Sequence, residues 1–163
     1  MAAGSTYEPI ATQTLGSAAA SVTFSSISGA YTDLKLVFTG VVSSGGDAFY
    51  VRLNSDSGSN YSTTELKGNG TAASSARYSS VTYMYALGNG LSANQTNVIL
   101  DLNNYSNATT YKTGLFRYND ANGYAAATIG LWRSTSAINA VSIHSLGGYA
   151  TGSTFTLYGI AAA

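Results

Sequence analysis

Apolar and polar residues alternate with period two in almost every stretch of this chain, and helical periodicity is nearly absent. That pattern restricts the fold to sheets with one buried face. In "TDLKLVFTG", Leu34, Leu36 and Phe38 fall on one side, and Lys35, Val37 and Thr39 on the other. "AFYVRLN" sets Phe49, Val51 and Leu53 against Tyr50, Arg52 and Asn54. "SVTYMYALG" sets Val81, Tyr83, Tyr85 and Leu87 against Thr82, Met84 and Ala86, and "NVILDLNNY" sets Val98, Leu100 and Leu102 against Ile99, Asp101 and Asn103. "SVTFSSI", "YKTGLFRYN", "AATIGLWRS", "AVSIHSL" and "STFTLYGI" continue the pattern. Clusters rich in Gly, Asn, Asp and Ser separate these runs ("SSGGD", "SDSGSN", "GNGTAASS", "LGNG", "NDANG", "GGYATGS"), as turns require.

About nine or ten short strands joined in this way predict an all-β chain, an antiparallel β-sandwich of the jelly-roll type. One or two short helices are expected at most, near "NYSTTELK" and "TSAIN". A length of 163 residues suits one domain. Residues 1–14 are expected as an N-terminal arm or edge strand, with Pro9 tolerated at an edge, and residues 15–163 as the sandwich.

Only 9% of residues are charged and the formal net charge is zero, so no basic stripe exists to hold phosphates and no nucleic-acid partner is expected. No apolar run approaches a membrane span, and the first twenty residues lack a signal-peptide pattern. A soluble protein without a membrane partner is expected. The absence of cysteine excludes disulfides and thiolate ligands.

"LNSDSGSNYSTTEL" resembles a calcium loop, with Asn54, Asp56 and Glu65 at the first, third and twelfth positions. Gly58 and Ser59 spoil the fifth and sixth, so a strand exit is expected instead and no metal or cofactor. His144 is the single histidine, on an outward position and without a nucleophile elbow. The carboxylates Glu8, Asp33, Asp47, Asp56, Glu65, Asp101 and Asp120 show no marked pair of the kind glycoside hydrolysis needs. No catalytic residue is assigned, and the chain is not expected to be an enzyme. Sequons stand at Asn60, Asn69, Asn94, Asn104 and Asn107, where this Ser-, Thr- and Asn-rich composition would supply about three by chance, and without a signal peptide no glycosylation is expected.

Thirteen tyrosines among abundant Ser, Gly and Asn suit protein or sugar contacts, although Tyr83, Tyr85 and Tyr158 can equally fill a sheet face. Trp132, beside Arg133, is a candidate stacking platform or interface anchor, with a core tryptophan as the alternative. Tyr7, Pro9 and Ile10 are candidate contacts of an N-terminal arm spanning Ala2 to Thr14, which could add to an exposed sheet edge.

Three segments, "YEPIATQTLGSAAASVTFSSISGAYTDLKLVF", "RLNSDSGSNYSTTELKGNG" and "GLWRSTSAINAVSIHSLGGYATGSTFTLYGI", resemble small β-sandwich structural proteins of tailed bacteriophages. The resemblance runs from Tyr7 to Ile160 and contains no catalytic signature. It implies that "NSDSGSNYS" belongs to a shared framework. It also implies one of two roles: a capsid decoration (cement) protein or the terminal domain of a tail fibre. A compact chain without a long shaft fits the first. The expected location is then the outer capsid surface of a virion made in the bacterial cytoplasm, with the major capsid protein and a homotrimer of itself as partners. The alternative is a tail-fibre or baseplate module that binds a host receptor or surface glycan. Near-zero charge predicts attachment that depends weakly on salt.

Overall fold

The computed structural model describes residues 6–43, 47–91, 93–121 and 123–161, with backbone alone for residues 47 and 87–91. Twelve strands form two sheets: β1 (Tyr7–Thr14), β2 (Ala19–Phe24), β3 (Asp33–Gly40), β4 (Asp47–Leu53), β5 (Tyr61–Gly68), β6 (Ala73–Val81), β7 (Met84–Leu91), β8 (Thr96–Asn103), β9 (Lys112–Asp120), β10 (Ala125–Trp132), β11 (Val141–Tyr149) and β12 (Thr154–Ile160). The large sheet has the order β1-β12-β3-β8-β9-β10-β5-β6, and the small one β2-β11-β4-β7. Every pairing is antiparallel. Only β5–β6, β8–β9 and β9–β10 are hairpins within a sheet; each other connection crosses to the opposite sheet. That crossing pattern is the jelly roll, here with the β8–β9 hairpin inserted into the large sheet.

The alternation places the core as expected. Leu34, Leu36, Phe38, Phe49, Val51, Leu53, Val98, Leu100 and Leu102 are all buried. Phe38 is the hub of one end, with ring centroids 5.4 Å from Phe49, 5.2 Å from Tyr149 and 4.8 Å from Phe155. These four rings join β3 and β12 to β4 and β11 across the sandwich.

Among the described residues there is no helix, within the expected limit of one or two: in "NYSTTELK", residues 61–67 belong to β5, where β-branched Thr63 and Thr64 pair with Tyr78 and Arg77. "TSAIN" is a loop, pinned by buried Ile138, whose N–H bonds Tyr105 O. One expectation is corrected: the strand number exceeds the nine or ten expected. β6 is polar on both faces and its first residues look like turn, while the "LGNG" turn signal lies inside β7.

"SVTYMYALG", one run in the sequence, is broken by a sheet crossing. Val81 pairs with Tyr61 in the large sheet and Met84 with Val51 in the small one. Ser80, at φ 54°, begins the change of direction.

The calcium-like loop is a structural latch. Asn54, at φ 52°, follows β4. Its Oδ1 accepts the N–H groups of Asn139 (2.8 Å) and Ala140 (3.1 Å), and its Nδ2 donates to Ala137 O (2.7 Å). Asp56 Oδ1 accepts Gly58 N–H, and its Oδ2 accepts the Asn60 amide and the Trp132 indole N–H. Glu65 points into the interior, 3.0 Å from the Lys67 ammonium. Of the oxygens that looked like ligands, those of Asn54 and Asp56 tie the 137–140 segment and Trp132 to the loop, and Glu65 is paired with Lys67. Asn54→Ala removes three bonds at a left-handed position that asparagine tolerates and alanine does not. It is expected to cost about 2–4 kcal/mol in urea unfolding; a loss under ~0.5 kcal/mol would show that the latch does not hold the loop.

Candidate functional site

Two outward surfaces are built in ways that a bare framework does not require. The first is the outer face of the small sheet. There Ser21 (β2), His144 (β11), Tyr50 (β4) and Tyr85 (β7) stand in one cross-strand row. Thr23, Ser142 and Arg52 form the next row. Phe49 and Val51 point inward, so the period of two sends Tyr50 and Arg52 outward.

On β7 the choice of face is made by packing. Met84 enters the core over Gly130, where an added Cβ would lie 2.4 Å from the Met84 sulfur. Thr128 Oγ1 donates to Ala86 O (2.7 Å), and the Tyr85 N–H bonds Thr63 Oγ1 (3.3 Å). β7 is thereby clamped to the large sheet with Met84 and Ala86 inward, which turns Tyr83 and Tyr85 out.

The tyrosines touch each other. Tyr50 lies 4.3 Å from Tyr83 and 5.2 Å from Tyr85 between ring centroids; Tyr83 and Tyr85 are 4.9 Å apart, and Tyr78 on β6 adds a fourth ring 5.0 Å from Tyr85. Burial, then the hydrogen bond and charge of Tyr83, push the Tyr85 phenol well above its ordinary pKa. The Arg52 guanidinium sits over the Tyr83 ring at 5.5 Å, and its Nε donates to Thr82 O (3.2 Å). Among the described residues Arg52 makes no ion pair.

Burial, reinforced by the Arg52 charge, holds His144 below its ordinary pKa, and its Nε2 is buried without a hydrogen-bond partner. A register shift between His144 and Tyr149 makes a bulge, with Gly148 at φ 75° and the Tyr149 hydroxyl bonding His144 O (3.0 Å). The bulge carries Leu146 to the rim, 83% exposed. Of these groups, Ser21, Tyr50, Arg52, Tyr83, His144 and Leu146 line a cleft of about 200 Å³.

The second surface is the outer face of the large sheet. Ile129 and Leu115 are directly opposite on β10 and β9, and Leu66 lies diagonally beside Ile129 through its partner Ala127. They are exposed by 58%, 41% and 61%. Lys35 and Arg117 both pair with Asp101 on the same face, which leaves one positive charge in excess beside the strip.

The residues singled out in the sequence fall elsewhere. Trp132 is 2% exposed and stacks on Tyr61, with centroids 6.2 Å and planes 15° apart; it is a core residue, not a platform. Arg133 is half-buried and its N–H bonds Asn60 O (2.9 Å). Residues 7–14 form an edge strand on β12 and not a free arm; Ala2 to Ser5 lie outside the described residues. Tyr7 is exposed and edge-on to Tyr158, Pro9 is exposed, and Ile10 packs on the core. Among the carboxylates, Asp33 accepts Asn104 N–H (2.7 Å), Glu8 the Tyr31 hydroxyl (3.2 Å) and Asp120 the Tyr118 hydroxyl (2.7 Å).

Arg52 and Tyr50 were missed as site residues because each is ordinary on its own strand. Only the register of β4 against β7 and β11 brings them to His144 and Tyr83. The tyrosine abundance was the one available signal.

No protein-family model matches the chain, and no curated protein matches it. Among solved structures it is similar to the marine PL-14 alginate lyase from Aplysia kurodai, at 10% identity and TM-score 0.35, covering 82% of this chain and 70% of that one. It is also similar to a double mutant of the alginate lyase Aly36B in complex with alginate tetrasaccharide, at 9% identity and TM-score 0.31, covering 82% and 72%. The expectation that this chain is not an enzyme is corrected by that finding: structures similar to it are enzymes, and the exclusion is withdrawn. Likeness at this level transfers no activity to it.

Proposed function

We propose that this chain is a virion structural protein of a tailed bacteriophage, carried on the outer head surface as a decoration protein. The observation that carries the reading is the exposed Leu66–Ile129–Leu115 strip on the outer face of the large sheet. The resemblance of Tyr7–Phe38, Arg52–Gly70 and Gly130–Ile160 to phage β-sandwich structural proteins supports it. The strip seats on the major capsid protein. Covering it contributes roughly 1–2 kcal/mol per side chain. The outer edge of β1, with Tyr7 and Pro9, meets a neighbouring copy in a homotrimer. Binding the assembled lattice but not free subunits stabilises the shell by linkage.

Immunogold labelling of intact virions tests the location. Gold over the head is the expected result; gold confined to the tail overturns the reading in favour of a receptor-binding module. Ile129→Asp tests the surface. Its side chain is exposed, so stability should change by no more than about 0.5 kcal/mol, while occupancy of the head falls at least about tenfold. Full occupancy by the variant would exclude the strip as the shell contact.

A further inference from the structure

The cleft on the small sheet has no part in seating the large sheet's face on a shell. We infer that it is a binding site for a carboxylated saccharide, with Arg52 as the anion contact and Tyr83, backed by buried Tyr50, as the ring surface.

The argument begins with charge. Arg52 is the one charged side chain lining the cleft, and among the described residues it has no carboxylate partner. Asp56, whose negative charge lies nearest in effect, is already bonded to Trp132, Asn60 and Gly58. The bond from Arg52 Nε to Thr82 O and the Tyr83 ring beneath the guanidinium fix the group in place. Its two terminal amino groups make no hydrogen bond among the described residues. A fixed guanidinium with that edge open matches a carboxylate in a two-pronged contact.

The rest of the wall selects what carries the carboxylate. Phenol rings give flat apolar area with a hydroxyl at the tip, which suits the C–H face and hydroxyl rim of a sugar better than an aliphatic chain. His144 forms part of the cleft wall with its Nε2 buried, and burial and the Arg52 charge hold it below its ordinary pKa, which leaves Arg52 as the anion contact. Leu146 on the bulge supplies an apolar lip. At about 200 Å³ the space is below the 300–1,000 Å³ that engulfs a drug-sized ligand, so it takes one residue of a longer saccharide whose neighbours lie along the open sheet face.

His144 is the only histidine, so its ring protons are a single NMR reporter inside the cleft. Oligomers of D-glucuronic acid, titrated into the full chain, should shift those signals. Oligomers of D-glucose of the same length should bind at least about tenfold more weakly. Arg52→Gln should weaken glucuronate binding by roughly tenfold and leave glucose unchanged. Tyr83→Leu should weaken both. Trp132 fluorescence monitors folding in each variant. If Arg52→Gln does not fold, Arg52→Lys, which keeps the charge and loses the planar fork, should still bind glucuronate several-fold more weakly than the parent. Equal binding of the two oligomers overturns the inference, as does a missing shift with glucuronate. A response to acetate at matching concentration would reduce the site to a simple anion contact. Tighter binding of a polyglutamate peptide would make the ligand a protein; either result refutes a saccharide site. The readout uses the isolated chain, so it stands apart from where on a virion the protein sits.

Discussion

Trp132→Ala should lower the melting temperature by roughly 6–20 °C. Removing a buried tryptophan costs about 3–5 kcal/mol, and in a domain of this size each kcal/mol moves the midpoint by about 2–4 °C. The indole is 2% exposed and stacked on Tyr61, so its loss leaves a void at the end of the sandwich opposite the Phe38 cluster. It also removes the 2.7 Å bond from Nε1 to Asp56 Oδ2. Burial by itself would raise the Asp56 pKa, but the bonds from Trp132, Asn60 and Gly58 and the Arg52 charge outweigh it and hold the carboxyl below its ordinary value. That stability is present above the unfolded-state value and is lost as pH falls through the folded one. Trp132→Phe should therefore be milder than alanine in stability and should flatten the acid limb of unfolding. Circular dichroism melts of both variants give the answer. A shift below about 2 °C for Trp132→Ala would mean that the ring is a surface platform after all.

The second large effect is expected in alkali. Burial pushes the Tyr61 phenol up to about 12, with the Leu53 backbone bond opposing and the Asp56 charge adding to the rise. Burial, then the hydrogen bond to Asp120 and its charge, push Tyr118 higher still. Both rings are buried, at 0% and 4% exposure. An unfolded tyrosine ionises near pH 10. Between pH 10 and 12 the folded state keeps protons that the unfolded state releases, so stability is full below pH 10 and falls as pH rises through that window. For two such groups the loss by pH 12 is up to about 5 kcal/mol, comparable with the whole stability of a small domain. Urea unfolding at stepped pH should show the fall, and Tyr118→Phe should make it shallower. If all thirteen phenols titrate together near pH 10 while the circular dichroism holds, the buried pair has been misassigned.

Much of the sandwich was legible in the sequence because burial in a strand is a local, period-two property. Leu34, Leu36 and Phe38 announce an inner face without reference to any partner. β6 was less legible because both its faces are polar, and β7 because its glycines read as a turn. The tyrosine cleft was legible only as composition. Tyr50, Arg52, Tyr83 and His144 come from β4, the bend before β7, and β11, up to about ninety residues apart in sequence, and they meet through ladder registers between β11, β4 and β7. Trp132 shows the opposite limit: its strand position is clear, but whether that face is covered depends on Tyr61 and the Asp56 loop.

By itself, then, the amino-acid order determined that the chain pairs into antiparallel strands with apolar inner faces, and that polar turns of Gly, Asn, Asp and Ser divide them. The tertiary structure decided which outer faces remain open and what lines them. The physical reason is range. Alternation and turn preference act within a few residues, whereas the clamp of Met84 over Gly130 and the rows joining His144 to Tyr50 come from contacts between strands distant in sequence.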